Sequence, residues 1–180
     1  MKSNKTKSSK VFLSKIEKND MQYIYEWFSD IEFLKYYDYM PPIPQKKEEV
    51  DITFNDYEKN EESCVFAIRL NDTNQIIGIA GFDDIIKENK VATLFIGIGN
   101  KDVRGNGYGK EALNILLEYG FNELDFYRIQ LNVLEFNSAA ISLYEKAGFI
   151  KEGVYREFVV RNNKRYDLLL YGILKSEWDG

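Results

Sequence analysis

The segment Val103-Arg104-Gly105-Asn106-Gly107-Tyr108-Gly109-Lys110 is the part of the chain best suited to hold an anion. Closely spaced glycines let a backbone turn sharply and aim several N–H groups into one concavity. The apolar spacing that follows predicts a helix. The first N–H groups of a helix lack internal acceptors, and its dipole adds partial positive charge. A phosphate or pyrophosphate suits such a site. Arg104 and Lys110 add formal charge at the rim. A Walker loop does not fit, because Arg104 stands where its first glycine belongs and Glu111 follows Lys110. A dinucleotide fingerprint does not fit either. In Gly105-x-Gly107-x-Gly109 the third glycine comes one residue early, and the loop lies mid-chain. Taken alone, the segment also reads as a plain tight turn.

Histidine is absent and cysteine occurs once. The first count excludes a Ser-His-Asp triad, a Cys-His dyad and a His-ligated metal. The second excludes an intramolecular disulfide and a cysteine cluster for zinc or iron–sulfur. No metal site is expected. Cys64 lies in a compact apolar run and reads as a small buried hydrophobe. Proton transfer in this chain must use carboxylates, phenols or water.

These residues need a scaffold, and the chain is long enough to supply one. Its 180 residues predict a single domain. A hydrophobic content of 44%, with 15% aromatic, rules out intrinsic disorder. No run of about 18 apolar residues occurs, so no membrane-spanning helix is expected. The net charge is −5. Lys2, Lys5, Lys7 and Lys10 fall within residues 1–10, read as a flexible basic tail, so the domain at 11–180 is more acidic still. Such a field disfavours nucleic acid and anionic membranes and favours cationic partners. With no signal peptide legible at the N-terminus, the expected compartment is the cytosol.

Strands are expected at 11–16, 64–70, 75–82, 91–99, 127–134, 149–160 and 165–174. Asn19-Asp20 and Ser29-Asp30 read as caps for two short helices, with a third over 45–57. A fourth runs from about 107 to 121, with Tyr108, Ala112, Ile115, Leu116 and Tyr119 on one face. Asn137-Ser138 caps a fifth, and Gly148 stands where a left-handed residue ends it. Gly97 and Gly99 interrupt a strand, which suggests a bulge or the close approach of another backbone or ligand. Asn162-Asn163 reads as a hairpin turn. Interleaved strands and helices make the class mixed α/β.

Arg104, Gly107 and Gly109 satisfy Arg-x-x-Gly-x-Gly, and Asn137, Ala140, Leu143, Tyr144, Gly148 and Phe149 follow at fixed spacing after the next strand. In this combination the sequence resembles the GNAT superfamily of acyl-CoA-dependent N-acetyltransferases. The resemblance spans residues 11–178 and is strongest over 96–149. The C-terminal part looks like the branch of ribosomal-protein N-terminal and polyamine acetyltransferases. It implies a GNAT fold of class α/β (α+β), a mixed, mostly antiparallel twisted sheet with helices on both faces. It also implies acetyl transfer from acetyl-CoA to a primary amine. The acceptor would be a cationic small molecule, polyamine-like or an aminoglycoside, or a protein N-terminal amine. A homo-oligomer stays open.

By this resemblance, backbone N–H groups from Arg104 through Gly105, Asn106, Gly107, Tyr108 and Gly109 take the coenzyme A pyrophosphate. Ile96, Gly97 and Ile98 pair with the pantetheine arm, and Asn137 holds its end. Ile98 N–H is the oxyanion donor. Tyr144 is the general acid, since a phenol of pKa about 10 stays protonated at neutral pH yet can donate to a thiolate; alone it also reads as a core aromatic. Family members often carry a basic Glu near the fourth strand, but Thr93, Leu94 and Phe95 stand there. The base is therefore unassigned, with Glu135 as one option. Glu26, Asp30, Glu32 and Asp38, or Asp83-Asp84, are options for binding a cationic amine. A non-catalytic acyl-CoA-binding module of the same fold would have lost Tyr144 or the loop glycines, and neither is lost.

Overall fold

The computed structural model describes residues 10–179. The chain begins with β1 (Val11–Ser14), α1 (Met21–Ser29), α2 (Ile31–Tyr37) and α3 (Lys47–Lys59). Then follow β2 (Cys64–Leu70), β3 (Ile76–Ile86), β4 (Val91–Ile98) and α4 (Tyr108–Glu118). The chain continues with β5 (Arg128–Leu134), α5 (Ser138–Lys146), β6 (Ile150–Arg161) and β7 (Lys164–Leu174). The strands form one sheet in the order β1-β2-β3-β4-β5-β7-β6. Every neighbouring pair is antiparallel except β4 and β5.

Central strands are buried on both faces, so their side chains feed two cores, the order in β3 shifting by one residue at a bulge opposite Ile68 and Arg69. Ile77, Ala80 and Phe82 of β3 join a core covered by α4 and α5. Ile76 and Ile79 join one covered by α1, α2 and α3. Two of the three expected caps act as such; Asp20 stands at the cap position of α1 but makes no side-chain cap bond, its carboxylate being held by the Glu17 N–H and Arg69. Asp30 accepts the Glu32 N–H at 2.9 Å, and Asn137 Oδ1 accepts the Ala140 N–H at 3.3 Å. Asn162 and Asn163 both take positive φ, at 51° and 60°, which matches the twist of a two-residue hairpin.

Two expectations about the fourth helix need correction. The fourth helix buries Ala112, Leu113, Leu116 and Leu117, so its apolar stripe is centred about one residue away from Ile115 and Tyr119. It also ends early, in a π turn over Tyr119–Glu123. There Gly120 lies so close to Phe82 and Ile129 that a Cβ would sit 2.8 and 2.9 Å from them. In α3, Val50 and Phe54 point inward while Ile52 is exposed, since i+2 falls on the far side of a helix. The expected basic tail lies outside the described residues except Lys10. Its N–H donates to Glu111 Oε2 at 2.6 Å and its Nζ to the Asn106 carbonyl at 3.4 Å.

Candidate active site

The site begins where the two parallel strands part. β4 pairs with β5 only through Val91, Ala92 and Thr93. On its other side β4 stays paired with β3 up to Ile98. From Leu94 to Ile98, the edge of β4 that faces β5 therefore lacks a strand partner. An extended ligand backbone can bond to such an edge as an added strand does.

Gly97 and Gly99 have a different reason from the one expected. Register between β3 and β4 is regular through Gly97, so there is no bulge. A Cβ at Gly97 would lie 2.7 Å from the Tyr37 ring, and one at Gly99 would lie 2.0 Å from Trp27. The close approach is made by the chain's own aromatic rings from α1 and α2. These rings wedge the second core against the open half of β4.

The glycine loop sits at the tip of that half. Gly105 and Gly107 have φ of 80° and 84°, and a Cβ on either would meet nothing within 4 Å. Conformation is what demands glycine here, not space. Among the described residues, the N–H groups of Gly105, Asn106, Gly107, Tyr108 and Gly109 meet no acceptor in the chain. Arg104 is different. Its N–H bonds the Lys101 carbonyl at 3.3 Å, while its Nε and Nη2 donate to the Ile98 and Gly99 carbonyls at 2.9 and 3.2 Å. The guanidinium thus ties the loop back to β4. Asn106 Nδ2 closes the loop on the Val103 carbonyl at 3.0 Å.

Two cavities flank the split. The larger, about 810 Å³, is bordered by Ile96, Gly97, Ile98, Arg104, Gly105, Gly107, Tyr108, Gly109, Asn137 and Tyr144. Of the expected cofactor residues only Asn106 is missing from that wall. Arg104, Lys110 and Lys146 make this cavity cationic against a single acid, Glu32. The smaller, about 260 Å³, is bordered by Asp38, Asp83 and Asp84 with Tyr36, Tyr37, Tyr39, Tyr57 and Tyr144, and by no Lys or Arg. Tyr144, Tyr36, Tyr37, Ile96, Asn137 and Ala140 belong to both walls.

Tyr144 is buried, with its ring edge-on to Phe149 at 5.8 Å. Its hydroxyl has no hydrogen-bond partner among the described residues. Burial pushes its pKa well above the usual phenol range. Asp83 is half-buried and takes a hydrogen bond from the Tyr57 hydroxyl at 3.3 Å. Burial raises its carboxyl to about 6, although the bond from Tyr57 opposes the shift. Asn137 is largely used up internally. Besides capping α5, its Nδ2 donates to the Tyr36 carbonyl at 3.2 Å, which clamps α2 to α5 across the cleft.

The other carboxylates separate cleanly. Glu135 borders neither cavity; its Oε1 accepts the Asp167 N–H at 3.0 Å, so it is poorly placed as a base. Glu26 and Asp30 also border neither, Asp30 being the cap of α2. Asp38 and the Asp83-Asp84 pair do reach the smaller cavity. The described residues contain no group of three or more His, Cys, Asp or Glu that could hold a metal ion. They contain no helix long and apolar enough to cross a membrane.

A split parallel pair, a glycine loop with free amides and a phenol at the junction come together in one candidate site. Comparison with known proteins gives the family. The model of the acetyltransferase (GNAT) domain family matches residues 10–150, and the chain belongs to that family. An uncharacterized N-acetyltransferase of Bacillus subtilis, YoaA, is 30% identical over 93% of this chain and 95% of its own. A spermidine N(1)-acetyltransferase of Vibrio cholerae is 25% identical over 95% of this chain and 96% of its own. Among solved structures, spermidine N-acetyltransferase from Vibrio cholerae in complex with CoA and spermine superposes with a TM-score of 0.87. It is 24% identical and covers 94% of this chain and 98% of that one. The fold is thus the GNAT fold, and the family's acetyl donor is acetyl-CoA.

Proposed function

We propose that this protein transfers the acetyl group of acetyl-CoA to a primary amine that carries further positive charge, with a polyamine as the leading acceptor. One observation carries this reading. The cavity that shares Tyr144 with the cofactor cavity has an acidic, tyrosine-rich wall and no basic residue. Ammonium groups are held by carboxylates and by the faces of phenol rings. The spermidine acetyltransferase of Vibrio cholerae, similar along nearly the whole chain, supports the same class of acceptor.

Each part of the cofactor meets a suitable wall. The free N–H groups from Gly105 to Gly109, on the N-terminal end of α4, suit its diphosphate. The unpaired edge of β4 from Ile96 to Ile98 suits the amide-bearing arm. The N–H and C=O of one strand residue point to the same edge. Arg104 Nε reaches the Ile98 carbonyl from the loop, so the Ile98 N–H faces the open side, where it can meet a carbonyl oxygen that gains negative charge. When bound, acetyl-CoA supplies an activated acyl carbon and a thiolate leaving group. Tyr144 holds the proton that the sulfur needs.

The reading predicts a selectivity pattern. In a thiol-release assay, spermidine should show kcat/KM at least about tenfold above a neutral-bodied monoamine and above a peptide with a free N-terminal alanine, consistent with paired charges of 1–3 kcal/mol. Salt should erode the preference, because partly exposed charge pairs are screened. An equal rate for all three amines would remove the polyamine assignment. A second prediction concerns the loop. Gly107→Ala should cost about 1–2 kcal/mol of local strain and weaken coenzyme A binding, measured by calorimetry, by about five- to thirtyfold. Unchanged affinity would mean that the loop conformation is not used.

A further inference from the structure

The acetyl-transfer reading leaves one step without an agent. A primary amine arrives as an ammonium ion, and its nitrogen has no free electron pair until a proton leaves. We propose that Asp83 takes that proton, so that the reaction runs between Asp83 on one wall of the smaller cavity and Tyr144 on the other. The inference rests on the proposed acetyl transfer.

Position argues for Asp83 first. It is the cross-strand partner of Thr93. Thr93 in turn forms the last pair between β4 and β5, with Gln130. Asp83 therefore stands at the apex of the split, at the level where the cofactor arm must enter the sheet. Phe82 points into the core under α4. Its neighbour Asp83 points to the opposite face, where the α3 residue Tyr57 meets it. Both Asp83 and Tyr144 border the smaller cavity. The neighbouring carboxylates are placed differently. Asp38 Oδ1 accepts the Met40 N–H at 3.2 Å and serves its own loop. Asp84 is exposed, with a φ of 49° that turns the chain outward.

The surroundings tune Asp83 for the task. Tyr57 from α3 donates to it, Tyr37 from α2 and Cys64 from β2 lie near it, and Asp38 and Asp84 repel its negative charge. No Lys or Arg borders the cavity to hold it ionised. Its carboxyl is raised to about 6. Relative to an ordinary aspartate, that shift makes proton transfer from an ammonium about a hundredfold less unfavourable, while the group stays mostly ionised at neutral pH.

The protons balance. One N–H bond of the ammonium breaks, its electron pair stays on nitrogen, and the proton forms an O–H bond on Asp83. As the new N–C bond forms and the C–S bond breaks, Tyr144 gives its proton to the sulfur. The second nitrogen proton returns to Tyr144, directly or through water. Asp83 then releases its proton to solvent, so each turnover sets one proton free.

The test is a set of pH profiles of kcat/KM between pH 5 and 9, with spermidine as acceptor. Activity of the unaltered protein should fall as pH drops through about 6, as Asp83 becomes protonated. Asp83→Asn should lower kcat/KM by about a hundredfold or more and abolish that acid limb. Its coenzyme A affinity by calorimetry and its circular dichroism should be unchanged. Tyr57→Phe removes a bond that holds the Asp83 pKa down, so the acid limb should move up by about half a pH unit or more. A merely structural role for either residue would not move the limb. An Asp83→Asn protein that keeps its acid limb and more than about a third of its rate overturns the base but leaves acetyl transfer standing. No turnover of the unaltered protein with any amine overturns both.

Discussion

Tyr144→Phe is expected to lower kcat by about a hundredfold to ten-thousandfold while leaving the affinity for coenzyme A within about twofold of the starting value. The expected split follows from where the residue sits. The ring is buried, at 7% exposure, and packs edge-on against Phe149; phenylalanine keeps both features. Only the hydroxyl is lost. That hydroxyl lies at the junction of the two cavities and spends its proton on no neighbour among the described residues. Burial holds the phenol protonated far past neutral pH. The same burial makes the phenol a weaker acid, so donation depends on the thiolate being expelled into the same desolvated cleft, where its basicity rises as well. An interaction needed only as charge develops on sulfur should lower kcat and kcat/KM together. A variant that turns over at the original rate would leave Tyr144 a packing residue.

The sequence made this pole of the site legible because its parts are local. The glycine loop runs directly into α4, and Asn137 and Tyr144 share α5 and its cap, so within each part spacing translates directly into geometry; the family resemblance joined the two parts. The opposite pole was illegible for the converse reason. Asp83 gains its place from the pairing of β3 with β4, and its protonation behaviour from α3, whose Tyr57 lies 26 residues away in sequence. No spacing rule encodes such a contact. The pair Asp83-Asp84 was visible only as charge. Gly97 and Gly99 show a subtler gap. Glycine in a strand announces a close approach, but the partner proved to be Tyr37 and Trp27, brought across by the packing of two short helices. Likewise Arg104, whose charge suggested a phosphate ligand, is turned back onto β4 by the curvature of its own loop.

The same dependence on distant packing sets the largest expected effect on stability. Asp20, at the start of α1, and Arg69, in β2, form an ion pair whose side chains are 6% and 5% exposed. Arg69 Nε also donates to Ser14 Oγ at 2.8 Å and Nη1 to the Asn74 carbonyl at 3.2 Å. Asp20 Oδ2 further accepts the Glu17 N–H at 2.7 Å. One guanidinium and one carboxylate thus fasten the entry of α1 to the sheet. Asp20→Ala would leave the buried guanidinium with only the exposed Glu17 carboxylate, 4.0 Å away, at a cost of about 3–5 kcal/mol, a large part of the 5–15 kcal/mol typical of a domain. Replacing both partners, as Asp20→Leu with Arg69→Met, should recover most of that loss, because no charge is left uncompensated. Urea unfolding of the three variants measures this directly. The damage should also reach the site. α1 and α2 carry the Trp27 and Tyr37 rings that pack over Gly99 and Gly97 at the open half of β4, and Tyr37 borders both cavities. Asp20→Ala should therefore raise KM for the amine and weaken coenzyme A binding together. A loss under about 1 kcal/mol, or unchanged values of both, would show that the pair does not position these rings.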